Sequence, residues 1–277
     1  MMKSRWKRRL AGCWLAAGLA GCASVNTTQS GVVGVNRSQS MLLSSQQVEQ
    51  LSARGYAQQL SQARAAGVLN ADPALKARVS RVAQRLIAQT PVFRPDAARW
   101  KWEVNVLKKD EPNAYAMAGG KIMVYSGLVT QLKLTDAELA AVVGHEIAHA
   151  LREHSRESMS QAYAQQMGLS LVGALAGLQQ SQLDLAALVG DVALSKPHSR
   201  TMESEADIIG LELMARAGYD PNAAVKVWQK MQAAGNGGGA EFLSTHPSGA
   251  TRIRDLQARI PQVWPLYQAA AAGKGRG

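Results

Sequence analysis

The chain has 277 residues, a formal net charge of +11, 47% apolar residues and two cysteines. That length and apolar content can build one hydrophobic core. Two cysteines cannot make a disulfide framework, and a charge surplus concentrated at the N-terminus gives no reason to invoke nucleic acid.

Lys3, Arg5, Lys7, Arg8 and Arg9 precede an apolar run, Leu10 to Ala20, with no acid among the first nine residues. The run is too short to span a bilayer, and the layout over residues 1–21 is that of a secretory signal peptide. Leu19-Ala20-Gly21-Cys22 has the form of a bacterial lipobox, which would make an acylated Cys22 the mature N-terminus and a firm membrane anchor. Removing the leader leaves 26 basic and 20 acidic residues, a net +6 suited to an anionic membrane surface. Cys13 leaves with the leader and Cys22 is consumed by lipid, so the fold must hold without a disulfide.

Residues 22–45, rich in Ser, Thr, Asn, Gln and Gly, read as a flexible tether, followed by a folded domain over 46–265 and a disordered tail over 266–277. Apolar residues at helical spacing predict scaffold helices from Gln46 to Gly67 and from Asp72-Pro73 to Thr90. Trp100, Trp102, Val104 and Val106 alternate as in a strand over Arg99 to Leu107. Ala114 to Val124 reads as a hairpin turning at Gly119-Gly120. Asn113, Ala114, Tyr115 and Ala116 would then present an edge able to pair with an extended peptide, or only close the core.

Thr135-Asp136-Ala137-Glu138 has the form of a capping box and starts a helix whose stripe includes Leu139, Val142, Val143 and Ile147. Inside it lies His145-Glu146-Ile147-Ala148-His149. One turn apart, His145 and His149 can reach a single ion, zinc being the usual one. Glu146 lies about 100° around the helix, where a carboxylate can take a proton from water beside the metal. Arg152 and Ser155 stand where a third-histidine extension of this motif would need Gly and His. His154, about 180° from His145 on a continuous helix, reads as a solvated helix-end residue.

Met167 to Leu178 and Leu183 to Leu194 are apolar, but Gln179, Gln180, Ser181, Gln182 and Asp184 interrupt them; they read as helices covering the cleft, with contact to lipid as the alternative. A further helix holds Glu203 and Asp207 on one face, with Glu205 directed away. One of the two carboxylates can ligate while the other orients a ligand histidine through its free ring nitrogen. Gly218 ends this helix, Asp220-Pro221 opens another to about Ala234, and Asn236-Gly237-Gly238-Gly239 forms a loop before Thr245-His246-Pro247. A last helix is expected over Arg252 to Ile260.

Four segments in order, Asn113-Ala114-Tyr115-Ala116 with Gly119-Gly120, the H-E-x-x-H helix, Ser199-Arg200 with Glu203 and Asp207, and Thr245-His246-Pro247 with Arg252-Ile253, resemble the HtpX-type zinc metallopeptidases. That family includes the CAAX prenyl endopeptidases and the mitochondrial Oma proteases. The resemblance covers Gln46 to Ile260 and is nearest to the bacterial lipoprotein branch, BepA- and LoiP-like, without its helical-repeat tail.

The resemblance implies an α+β, predominantly helical, gluzincin-like domain with a small sheet at the cleft edge. It implies one zinc held by His145, His149 and Glu203, Glu146 as base, Asp207 behind a ligand, and His246 and Arg252 near the metal. His246 would either donate to the oxyanion or close the metal's open position. The implied function is endopeptidase action on misfolded or unassembled envelope proteins. Ala23-Ser24 lacks the Asp of inner-membrane retention, so the implied place is the outer membrane facing the periplasm. The alternative is an assembly chaperone or adaptor, working with outer-membrane assembly machinery, with a mainly structural or latent metal site.

Overall fold

The structure, a computed structural model, describes residues 23–175, 191–192, 198–234, 240–246 and 250–274. Cys22, the leader, residues 176–190, Gly237 to Gly239 and Pro247 lie outside them, and so do the expectations placed there.

Residues 23–45 are not a free tether. Strands β1 (Ala23–Val25) and β2 (Gln39–Met41) pair antiparallel, and Val33, Val35, Met41 and Leu43 are buried. A polar composition hid this: a few apolar residues, Val33 and Val35 in the main core and Leu43 in a second, dock the strap together with polar contacts. The Val32 and Val33 amides both donate to Glu212 Oε2, at 2.9 and 3.2 Å.

Helix α1 (Ser45–Ala65) starts at a Ser44–Gln47 capping box, and α2 (Pro73–Ile87) has Asp72 as N-cap and Pro73 in its first turn. The expected strand from Arg99 is shorter. Residues Pro95–Arg99 form a 3₁₀ turn, and β3 is Glu103–Leu107. Trp100 and Trp102 lie before it and pack on one another.

Strand β4 (Ala114–Met117) and β5 (Lys121–Tyr125) form the predicted hairpin, turning through Gly119 and Gly120 at φ +76° and +79°. The order is β3-β5-β4, with β3 parallel to β5, so β4 is an edge strand and faces the active helix. Helix α3 (Ser126–Gln131) leads to α4 (Asp136–Leu151), whose Thr135–Glu138 capping box forms as read and whose residues from Glu138 to Leu151 are all buried.

Helix α5 (His154–Leu175) follows, then α6 (Arg200–Arg216), α7 (Asn222–Ala234), the short α8 (Ala240–Thr245) and α9 (Ala250–Lys274). The tail expected to be disordered from 266 is the end of α9, helical through Lys274 despite Pro261 and Pro265. Helix α4 lies between α6, α2 and α7 at the centre of the main core. No described helix is long and apolar enough to cross a membrane. The result is a mostly helical α+β domain.

Candidate metal centre

Two helices build the site, and their closeness comes from glycine. Gly144 on α4 meets Gly210 on α6 with backbone against backbone. Short carboxylates on α6 thereby reach imidazoles on α4. His145 Nε2 and His149 Nε2 are 3.0 Å apart, and Glu203 lies 3.4 Å from the first and 3.3 Å from the second. His246, at the end of α8 and stacked on Phe242, brings Nδ1 to 3.2 Å from His145 Nε2 and 3.0 Å from Glu203. All four side chains are buried.

Three imidazole nitrogens and a carboxylate converge at 3.0–3.4 Å, a set that could hold a metal ion between them. Ligands about 2.0–2.1 Å from a tetrahedral ion sit roughly 3.3 Å from one another, which is the spacing found. The donor set of two to three His and one Glu fits a zinc-type ion.

The electrostatics agree. Burial works against charge on His145, but the Glu203 and Asp207 carboxylates outweigh it and lift its pKa to about 9. Burial would raise Glu203, yet the facing His246 and His145 hold it well below the usual carboxylate range. Burial, with His198 beside it, drives His149 well below the ordinary imidazole value. The metal-free pocket therefore takes up a proton where a metal would sit.

Asp207 Oδ1 lies 3.0 Å from His145 Nδ1, and Arg252 grips Asp207 through Nε and Nη2 at 2.6 and 2.7 Å while Nη1 reaches Glu203 at 2.7 Å. Arg252 also lies over the Trp228 ring. Glu146 is buried beside the cluster. Its Oε1 has no hydrogen bond among the described residues, lies 3.5 Å from His246 Nε2, and its carboxylate accepts from the Ala116 amide of the β4 edge. Burial raises its pKa above the ordinary glutamate value.

The expectation for His154 fails here. His154 is fully buried, with Nδ1 2.8 Å from His149 Nδ1 and Nε2 3.1 Å from Glu205. On one continuous helix His154 would lie opposite His145, but α4 stops at Leu151 and Glu153 turns the chain at φ +51°. Glu205 points away from Glu203, as expected, and meets Arg152, Arg37 and His154. His198, not singled out in the sequence, stacks on His149 at 4.3 Å and 25°. Its position just before the Ser199 N-cap was the available signal. Burial and the neighbouring His246 push its pKa down to about 3.

A helix-borne H-E-x-x-H pair, an acid from a second helix and a strand edge beside them define a metallopeptidase type of centre. Residues 73–260 match the model of Peptidase family M48, and the chain belongs to that family. It is 36% identical over 210 residues to the mitochondrial metalloendopeptidase OMA1 of Schizosaccharomyces pombe, covering 69% of this chain and 58% of that one. The Arabidopsis thaliana protein of that name is 38% identical over 178 residues, 62% of this chain and 35% of its own. The beta-barrel assembly-enhancing protease of Escherichia coli is 28% identical over 215 residues, 74% of this chain and 43% of its own. The chain thus spans about half or less of most of these curated relatives.

Proposed function

We propose that this chain is a zinc endopeptidase of the bacterial cell envelope, tethered by lipid at Cys22 and acting on misfolded or unassembled envelope proteins. The observation that carries the catalytic part is the convergence of His145, His149 and Glu203 with the hydrogen-bond-free Glu146 Oε1 beside them. When bound, zinc supplies Lewis acidity to the scissile carbonyl and lowers the pKa of a nearby water.

The chain's own residues do the rest. His145, His149 and Glu203 hold the ion, and Asp207, fixed by Arg252, orients His145. Glu146 Oε1 takes the proton from water and returns it to the leaving amine, and burial suits it by raising its basicity toward the working pH. The β4 edge, Asn113 to Ala116, aligns the substrate backbone by strand addition. His246 in a ligating position is a latch: it withholds the coordination place that water needs until it moves.

Lipoprotein branch membership and an outer-membrane position rest on the lipobox and on the similarity to the E. coli protease, whose name ties it to β-barrel assembly. Glu146→Gln tests the chemistry: it should keep its metal and lose cleavage of casein, and wild-type cleavage would overturn the mechanism.

A second reading, a chaperone or adaptor with a structural or latent metal, is favoured by His246 completing a four-ligand set, since structural zinc sites are closed. If Glu146→Gln restores envelope integrity in a deletion strain as fully as wild type, that reading prevails.

A further inference from the structure

His149 differs from His145 in what stands behind it. His145 Nδ1 meets the Asp207 carboxylate directly, whereas His149 Nδ1 meets another imidazole, that of His154. Ligation sets the direction of the bonds. As a metal ligand through Nε2, a neutral His149 carries its proton on Nδ1 and donates it to His154 Nδ1, 2.8 Å away. His154 must then carry its own proton on Nε2, which donates to Glu205 Oε2 at 3.1 Å.

That carboxylate is clamped by two arginines. Arg152, on the turn after α4, reaches it through Nε and Nη2 at 3.1 and 3.0 Å. Arg37 reaches it through Nε at 2.6 Å and Nη2 at 3.1 Å, while binding Glu157 through Nη1 and Nη2. Arg37 belongs to the strap that crosses from β1 to β2. The strap is tied to the same place by Arg152, which donates to Asn26, Thr28 and the Arg37 carbonyl, and by Gln39, which donates to the Arg152 carbonyl and Glu157.

We propose that His154 and Glu205 form a relayed hydrogen bond that sets the ring of His149, and that Arg37 makes the N-terminal strap a working part of the metal centre. All three are positioning residues. The strap closes the relay from outside the peptidase core, so the segment joined to the lipidation site also determines how firmly the metal is held. This rests on His149 being a ligand.

The test measures zinc affinity of the full chain by competition with a chromophoric chelator, alongside the melting temperature of the metal-free protein. His154→Phe keeps the bulk and removes the relay. A loss of about 10–100-fold in zinc affinity is expected. Arg37→Met should lose affinity in the same direction, and Arg37→Lys should recover part of it, since an ammonium restores charge but not the fork.

His149→Ala separates the two claims. If it binds zinc like wild type, the ligand assignment itself is wrong. If it loses zinc while His154→Phe keeps wild-type affinity, only the relay is overturned. Should His154→Phe fail to fold, Glu205→Met, which removes the acceptor of the His154 bond, replaces it, and unchanged affinity there overturns the relay equally. A metal-free melting temperature lowered by Arg37→Met with zinc affinity untouched would reduce the strap to scaffolding.

Discussion

Gly210 on α6 lies so close to Gly144 on α4 that a Cβ on it would be 2.9 Å from the Gly144 carbonyl carbon and 2.8 Å from the His145 amide nitrogen. Those are backbone atoms of a fully buried helix and cannot swing aside. Gly210→Ala must therefore push the helices apart, an overpacking that costs about 1–3 kcal/mol. The separation also moves His145 away from Glu203 and Asp207. Zinc content and melting temperature should fall together; retention of both would show that the close approach is not what assembles the site.

Metal uptake should release a proton. His145, with a metal-free pKa of about 9, is protonated at neutral pH, and a metal must displace that proton. Apparent affinity should rise roughly tenfold per pH unit from 7 toward 9 and then level off. Titration calorimetry in buffers of different ionisation enthalpy reads the proton count directly. The sign for the metal-free fold follows from the same shift. A histidine raised from 6.5 to about 9 adds stability that is complete below pH 6.5 and is withdrawn as pH rises through 9.

His246→Ala distinguishes a latch from an oxyanion donor by the sign of its effect. Because His246 Nδ1 stands 3.2 Å from His145 Nε2 and 3.0 Å from Glu203, the expected result is faster casein cleavage. A rate loss near a hundredfold would instead assign it to oxyanion stabilisation. Unchanged cleavage would leave it without either role.

Gly31 tests the docking of the strap. It sits at φ +61°, and a Cβ there would lie 2.4 Å from Glu212 Oε2 and 2.5 Å from the Phe93 ring. Gly31→Ala combines left-handed strain with a clash and should lower the melting temperature by several degrees, by roughly 1–3 kcal/mol. A free tether would be indifferent to it.

How much could be read in advance follows from where the signals are local. Caps are local: Thr135–Glu138 announces its helix, and the Gly119-Gly120 turn announces its hairpin. The candidate ligands sit at helical spacings, His145 with His149 on one helix and Glu203 with Asp207 on another; spacing leaves the choice between the two carboxylates open, and the family resemblance points to Glu203. His154 was misread because a single left-handed residue, Glu153, breaks the helix and cancels the angular count. A non-glycine residue in that conformation leaves no mark in the sequence. Arg37 and Gln39 sit inside a polar stretch, and their partners are far along the chain: Glu157 and Glu205 lie 120 and 168 residues from Arg37, and Glu157 lies 118 from Gln39. Pairings at that distance have no periodicity to betray them.

All five histidines of the chain, His145, His149, His154, His198 and His246, lie within one cluster, with His149 touching each of the others. The protein has no histidine background. Selective ¹⁵N labelling of imidazole rings would give a spectrum in which every signal comes from the centre, so that ligation, tautomer and the release of His246 appear as separate resonances without subtraction.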